Sequence, residues 1–152
     1  MNEFLAMLER ESDKQVLSAL HERLTGLGYK AMTKPSGQGF DIKYSVKSRK
    51  PLVAIAYKKG TGFEVHIRPL HVASYAHRLS ELSEHIRECC LGGRDCARCG
   101  YCDKAYAYEY EGKAYFKCQF ICFNFRFTDI QEGDVESILK VLDMELEQIQ
   151  KG

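Results

Sequence analysis

All seven cysteines of this 152-residue chain lie in one stretch of 34 residues, from Cys89 to Cys122. A disulfide framework that replaces a hydrophobic core spreads its cysteines over a small secreted chain. This chain is long enough to bury a core of its own, and its first 88 residues contain no cysteine. The clustering therefore indicates a local metal or redox site rather than a disulfide scaffold.

The segment Cys96-Ala-Arg-Cys99-Gly100 has the spacing of a metal-binding turn. Two thiolates separated by two residues can bind one tetrahedral ion, as in structural zinc sites. Gly100 suits such a turn, because glycine readily adopts a positive φ. Cys102 lies close by and is a third candidate ligand. The segment resembles the CxxCG turn of rubredoxins and zinc ribbons; the resemblance covers Cys96 to Gly100 and implies a metal.

A predicted β-hairpin carries the remaining cysteines back to this turn. Alternating tyrosines predict a strand over 104–110, and a second strand over 113–120 follows the turn at Glu111-Gly112. A two-residue turn sets the register, which pairs Tyr110 with Lys113, Ala105 with Cys118 and Tyr101 with Cys122. Cys118 and Cys122 also share one strand face, because they are four residues apart.

Zinc held by four thiolates is the favoured interpretation of the cluster. The predicted ligands are Cys96, Cys99, Cys102 and Cys118, with Cys122 as the substitute. An iron–sulfur cluster is the alternative, because C-x2-C-x2-C opens one ferredoxin pattern, although the Cys-Pro that follows there is absent. A reactive thiol or disulfide pair is a further alternative. Burial as small hydrophobic residues suits Cys89 and Cys90, which close a predicted helix.

Apolar periodicity predicts one α+β domain over residues 1–152: an antiparallel β-meander with flanking helices, a cysteine turn and hairpin inserted at about 89–127, and a C-terminal amphipathic helix. The first long helix is expected from Asp13, with its apolar face at Val16, Leu17, Leu20, Leu24 and Leu27. The strands are expected at 29–33, 40–46, 52–57 and 63–67, with a loop over 34–39. Helices are expected over 71–90, with Ser80 as an N-cap, and along Val135, Ile138, Leu139, Leu142, Leu146 and Ile149.

Aromatic residues follow the predicted strands in rows. Tyr106, Tyr108 and Tyr110 share one face of the first hairpin strand, and Phe123, Phe125 and Phe127 extend the second. Such rows can line a ligand pocket, but packing in the core is the expected use.

The charges are separated along the chain. Residues 30–68 hold nine Lys or Arg and two acidic residues, a net charge of +7, whereas residues 129–152 carry −5 from two basic and seven acidic residues. A basic sheet face can attract nucleic acid or another anion. The aromatic residues Phe40, Tyr44 and Phe63 are in phase with aliphatic neighbours, so they are expected in the core, whereas proteins that stack on RNA bases display aromatics outward. Nucleic-acid binding is therefore not favoured.

Three residues near the end of one strand are the weak candidates for catalysis. Glu64, His66 and Arg68 alternate along the strand and are expected on its outward face. They can supply an acid/base pair and a guanidinium that binds anions. No nucleophile motif or phosphate-binding loop accompanies them, so the chain is expected to act without catalysis.

The longest apolar run, Leu52 to Tyr57, is six residues, whereas a membrane-spanning helix needs about 20. The first ten residues contain two glutamates and no apolar run typical of a secretory signal. These features predict a small cytoplasmic binding or regulatory domain with a structural zinc site; the alternative is a redox protein that uses the same cysteines. Its partner is expected to be a small molecule or a protein, and the C-terminal helix can pack within the chain or against a second copy.

Overall fold

The computed structural model describes residues 1–47, 49–99, 105–119 and 124–151. The described chain has the expected α+β fold. Its helices are α1 (Asn2–Met7), α2 (Glu11–Gly26), α3 (Val72–Tyr75), α4 (Glu84–Leu91) and α5 (Val135–Lys151), with 3-10 helices at Ala76–Glu81 and Glu132–Asp134. Its strands are β1 (Lys30–Ser36), β2 (Gly39–Ser45), β3 (Val53–Lys58), β4 (Gly62–Ile67), β5 (Tyr106–Tyr110), β6 (Lys113–Lys117) and β7 (Phe125–Phe127).

The main sheet is antiparallel, with the strand order β1-β2-β3-β4-β7. The first four strands form the predicted meander, and the apolar β3 is central. Phe40, Tyr44 and Phe63 are buried, as their phase with aliphatic neighbours predicts. The apolar faces of α2 and α5 join the same hydrophobic cluster as these side chains. One layer of helices therefore covers one face of the sheet.

The position of β7 corrects the prediction for the aromatic row. Phe125 and Phe127 do not extend the second hairpin strand; β6 ends at Lys117, and β7 pairs with β4 in the main sheet. Both phenylalanines are fully buried in the core, and this burial favours the main sheet over the hairpin. Phe123, predicted in the same row, lies outside the described residues.

The edge strand β1 is longer than predicted. Strand pairing continues through Lys34, Pro35 and Ser36, where a loop was expected, and the connection to β2 is only Gly37-Gln38. Gly37 has a φ of 57°, which glycine adopts without strain. Proline is tolerated here because β1 is the outermost strand of the sheet. The strand is exposed along most of its length, and Met32 is 68% exposed.

Two helix ends also differ from the prediction. Leu27 was expected on the apolar face of α2, but the helix ends at Gly26 and Leu27 is 48% exposed. The N-cap of α4 is Ser83 rather than Ser80, and the Ser83 hydroxyl accepts a hydrogen bond from the Ile86 N–H at 3.4 Å. Ser83 Oγ also donates to Asp134 Oδ1 at 2.8 Å, so the cap is tied to the start of α5.

The C-terminal helix α5 packs within the chain, against α2 and α3. Its buried apolar residues include Ile138, Leu142 and Leu146, as helical spacing predicts. Tyr106, Tyr108 and Tyr110 of the hairpin are buried in the same cluster, which confirms the expected core packing. Among the described residues, no helix has the length and apolar character needed to cross a lipid bilayer.

Candidate metal centre and neighbouring polar clusters

The hairpin that carries Cys118 has the predicted register. Tyr110 pairs with Lys113 across the turn, and Glu111 and Gly112 have φ values of 50° and 78°. Positive φ at both turn residues is typical of the tight turns that match strand twist. The pairing continues to Tyr106 and Lys117, so Ala105 and Cys118 are next in register. The predicted pair of Tyr101 and Cys122 lies outside the described residues.

The chain before Cys96 pairs with the outer edge of β6. Asp95 forms an antiparallel bridge with Lys117. The Cys96 N–H donates to the Phe116 carbonyl at 2.8 Å, and the Cys118 N–H donates to the Arg94 carbonyl at 2.7 Å. Cys96 and Cys118 therefore lie on adjacent, hydrogen-bonded segments. The structure thus brings Cys96 and Cys118 onto neighbouring segments through a pairing of residues 94–96 with the outer edge of β6, which the hairpin register did not predict.

Two side chains stabilise the junction, by which we mean the paired residues 94–96 and 116–118. The Lys117 ammonium donates to the Gly93 carbonyl at 3.0 Å and to Asp95 Oδ1 at 2.7 Å. The Asn124 amide donates to the Arg94 carbonyl at 3.1 Å and to the Cys118 carbonyl at 3.2 Å. Lys117 and Asn124 are buried, which shields their bonds to the main-chain carbonyls from water, whereas the Asp95 side chain is exposed. The main chain on both sides of the two cysteines is therefore held in place by other residues.

The thiols near this junction differ from core cysteines in exposure. Cys99 is exposed, and Cys96 and Cys118 are partly exposed. Arg98 lies between Cys96 and Cys99 and has a φ of 53°. It is therefore the residue with left-handed backbone in the described part of the turn. Gly100, for which a positive φ was expected, lies outside the described residues, as do Cys102 and Cys122. Within the ranges that the structure describes, no three His, Cys, Asp or Glu side chains are grouped as metal ligands.

Cys89 and Cys90 lie in the last turn of α4, away from the CxxC turn in sequence. Cys90 is fully buried, and Cys89 is half-buried. Burial raises the pKa of both thiols, because a thiolate is poorly solvated there. Both cysteines thus have the properties of small hydrophobic residues.

The predicted catalytic trio is brought together only in part. Glu64 Oε2 lies 3.0 Å from His66 Nε2, and the same carboxylate accepts hydrogen bonds from Arg126 of β7 at 2.6 and 3.2 Å. Arg126, which the sequence analysis missed, thus supplies the guanidinium of this cluster. Arg68 is not on the outward face as expected; it follows the end of β4 and is only 7% exposed. Alternation along the strand does not extend past Ile67, where the strand ends.

The Glu64 cluster predicts a dependence of stability on acid pH. Burial raises the pKa of Glu64, but hydrogen bonds from Arg126 and His66 outweigh it and lower the pKa below its usual value. A carboxyl with a lowered folded-state pKa stabilises the fold above the unfolded-state pKa, and this contribution is lost as pH falls through the folded-state pKa. We expect Glu64→Gln to reduce stability by about 1 kcal/mol at pH 7 and to flatten the loss of stability below about pH 5. Urea unfolding between pH 3 and 7 measures both effects.

The matched control is Glu109→Gln, which removes an exposed carboxylate from β5. It should leave the shape of the pH profile unchanged. A Glu64→Gln profile that runs parallel to the wild-type profile at every pH would contradict the assignment.

A buried cluster around Glu145 was missed altogether. Glu145 is fully buried in α5. Its Oε1 accepts hydrogen bonds from the His71 N–H at 3.0 Å and from the Tyr75 hydroxyl at 2.8 Å, and its Oε2 lies 2.6 Å from His71 Nδ1. Burial and the neighbouring Glu145 carboxylate raise the pKa of Tyr75 well above its usual value, so Tyr75 remains the donor. The sequence signal was available: Glu145 lies seven residues after Ile138 and three after Leu142, on the apolar stripe of the helix.

Comparisons of the chain with protein-family models, curated proteins and solved structures gave no match.

Proposed function

We propose that the chain is a small, non-enzymatic binding or regulatory domain whose cysteine turn and hairpin are stabilised by one structural zinc ion. The proposed ligands are the thiolates of Cys96, Cys99, Cys102 and Cys118, with Cys122 as the substitute. Cys102 and Cys122 are assigned from their sequence spacing. Because thiolate ligands need reduced cysteines, we place the protein in the cytoplasm.

The observation that carries the proposal is the main-chain pairing between residues 94–96 and the end of β6. Structural zinc sites commonly take two thiolates from a CxxC turn and the others from a segment that the fold returns to it. Here Cys96 and Cys118 lie on such neighbouring segments. Cys99 is exposed, which argues against a packing role for this thiol, because cysteines used as small hydrophobic residues are usually buried.

Positive side chains near the junction suit a site with several negative ligands. Four thiolates and one Zn²⁺ carry a net charge of −2, which nearby cations stabilise. Arg94 and Arg98 belong to the cysteine segment, whereas the Lys117 ammonium at its base is already paired with Asp95. This charge pattern supports a metal–thiolate centre over a group of neutral thiols.

The first experiment is the metal content, by mass spectrometry, of protein purified without oxygen and without chelators. We expect about one zinc per chain. Several irons per chain, with a visible charge-transfer absorption, would instead assign the cysteines to an iron–sulfur cluster. Protein without any metal would contradict the zinc site and leave thiol or disulfide chemistry as the role of the exposed cysteines.

A further inference from the structure

A cavity of about 370 Å³ opens on the side of the fold where the β2–β3 connection, the end of β4 and the C-terminal end of α5 meet. This volume is within the range of about 300–1,000 Å³ that is typical of small-molecule sites. The polar side chains around the cavity come from three separate parts of the chain and are Tyr29, Arg49, Lys50, Arg68 and His71. None of the described residues that line it is an Asp or a Glu.

Three permanent cations meet at this cavity. Arg68 is buried in its wall, at 7% exposure, whereas Arg49 and Lys50 are exposed at the mouth. A concave surface with charges of one sign and low-dielectric walls concentrates the electric field and attracts small ions of the opposite sign. Arginine also binds carboxylate and phosphate through two parallel hydrogen bonds. The cavity is therefore suited to an anionic group.

Tyr29 and His71 fix the remaining polar wall. Burial raises the pKa of Tyr29, the positive charge of Arg49 lowers it, and the negative charge of the Glu145 carboxylate raises it, so the phenol is influenced by charges of both signs. His71 is held through its backbone N–H and its Nδ1 by the buried carboxylate of Glu145. The Glu145 carboxylate also accepts a hydrogen bond from the buried Tyr75 hydroxyl. The imidazole is thus positioned before any ligand arrives.

The rest of the wall is apolar. Val46, Leu52, Leu70 and Ile149 line the cavity beside the cations. Leu52 is buried, while Leu70 is exposed at 46%. A fully hydrated inorganic ion gains nothing from such walls, whereas an organic ligand with an apolar body buries surface against them. Cationic and apolar surfaces side by side therefore select an amphipathic anion.

We propose that this cavity binds a small organic anion, in which a carboxylate or phosphate headgroup faces Arg49, Lys50 and Arg68 and a compact apolar body lies against Leu52 and Leu70. The proposal rests on the binding function proposed above and names its ligand class, but it does not require the metal. Since the headgroup chemistry is shared, carboxylates and phosphate monoesters are separate arms of the test.

The test is isothermal titration of the full chain with phenyl phosphate, phenylacetate, inorganic phosphate and the neutral benzyl alcohol. We expect saturable 1:1 binding of at least one aromatic anion, weakened by added NaCl because the contacts are ionic. Benzyl alcohol and inorganic phosphate should each bind at least about tenfold more weakly. Benzyl alcohol lacks the anionic headgroup, and inorganic phosphate lacks the apolar body. Binding of only phenyl phosphate or only phenylacetate supports the proposal and identifies the headgroup. No binding of either anion, or equal binding of benzyl alcohol, overturns it.

Variants locate the binding to this cavity. Arg68→Met and Arg49→Met should each weaken binding of the aromatic anion by about tenfold or more, since each removes a charged hydrogen-bond donor. Arg49 is exposed, so its variant decides the question where Arg68→Met does not fold. The control, Lys34→Met, removes an exposed cation from β1 and should bind normally. Unchanged affinity in Arg49→Met and in any folded Arg68→Met overturns the assignment.

The metal is tested separately. Cys99→Ser should lose zinc but keep its affinity for the aromatic anion at a temperature where it is folded. Failure of the zinc measurement therefore leaves the cavity assignment intact, and failure of the titration leaves the zinc site intact.

Discussion

Cys99→Ser is expected to lower the free energy of unfolding of the zinc-loaded protein by about 3 kcal/mol or more. A structural zinc ion contributes its binding free energy directly to folding, because the unfolded chain does not present a preformed site. Serine keeps the size of cysteine but removes the thiolate that zinc prefers. Cys99 is exposed, so the loss of its own packing contributes little. Thermal and urea unfolding, measured with and without EDTA, give the effect.

The chelator provides the decisive comparison. EDTA should destabilise the wild-type protein to nearly the level of Cys99→Ser, and it should have little further effect on the variant. Cys89→Ser is the matched control, since it changes a half-buried cysteine outside the proposed ligand set. It should retain its zinc and its response to EDTA. An unchanged melting temperature of metal-loaded Cys99→Ser would falsify the structural zinc site.

Glu145→Ala is expected to destabilise the fold by about 3–5 kcal/mol. The substitution leaves the buried Tyr75 hydroxyl and the His71 N–H without their acceptor, and each unsatisfied donor costs about 1–3 kcal/mol. It also opens a cavity between α5 and α3. Glu145→Gln keeps the volume and one acceptor oxygen, so its cost should be smaller, at about 1–3 kcal/mol. Urea unfolding at pH 7 measures both variants.

Glu147→Ala is the control on the same helix, because Glu147 is exposed and its ion pair with Arg78 is long, at 3.7 Å. Its effect should stay within about 0.5 kcal/mol. The combination of Glu145→Gln with Tyr75→Phe should cost less than the sum of the two single changes, because the second change removes a donor that the first has weakened. Additive costs would show that the hydroxyl–carboxylate bond contributes nothing to stability.

Local patterns predicted much of the fold. Strict alternation in β2 and β4 and helical spacing in α5 identified both the elements and their buried faces, because each pattern reports directly on which side of the element contacts the core. The turn at Glu111-Gly112 set the hairpin register by itself, since two residues with positive φ fix the pairing of the strands beside them. The buried faces of these elements and the hairpin register are set by residues that are close together in the sequence.

Such local patterns do not show which strands pair when the strands are far apart in the sequence. Phe125 and Phe127 have the same alternation whether their strand extends the hairpin or joins the main sheet. Pro35 falls in the loop predicted over 34–39, because proline is tolerated in a strand only at a sheet edge, which no local signal shows.

The polar clusters were only partly predictable for a related reason. Glu64 and His66 were identified together because alternation places them on one strand face. Arg126, by contrast, reaches Glu64 across 62 residues of sequence. Arg68 departed from the alternation because β4 ends one residue earlier, and its role in a cavity wall depends on the β2–β3 connection. Glu145 was recognisable as a charge on an apolar stripe, but its partners His71 and Tyr75 were not.

The exposed edge strand β1 bears on how the protein behaves at high concentration. A free strand edge is a template on which another chain can add a strand and begin aggregation. Lys30 and Lys34 put positive charge along this edge, and Pro35 contributes no N–H to it. A second copy that approached this edge would meet like charge and an incomplete row of donors. At the opposite edge, β7 spans three of the described residues, Phe125–Phe127. Both ends of the sheet thus discourage growth into fibrils.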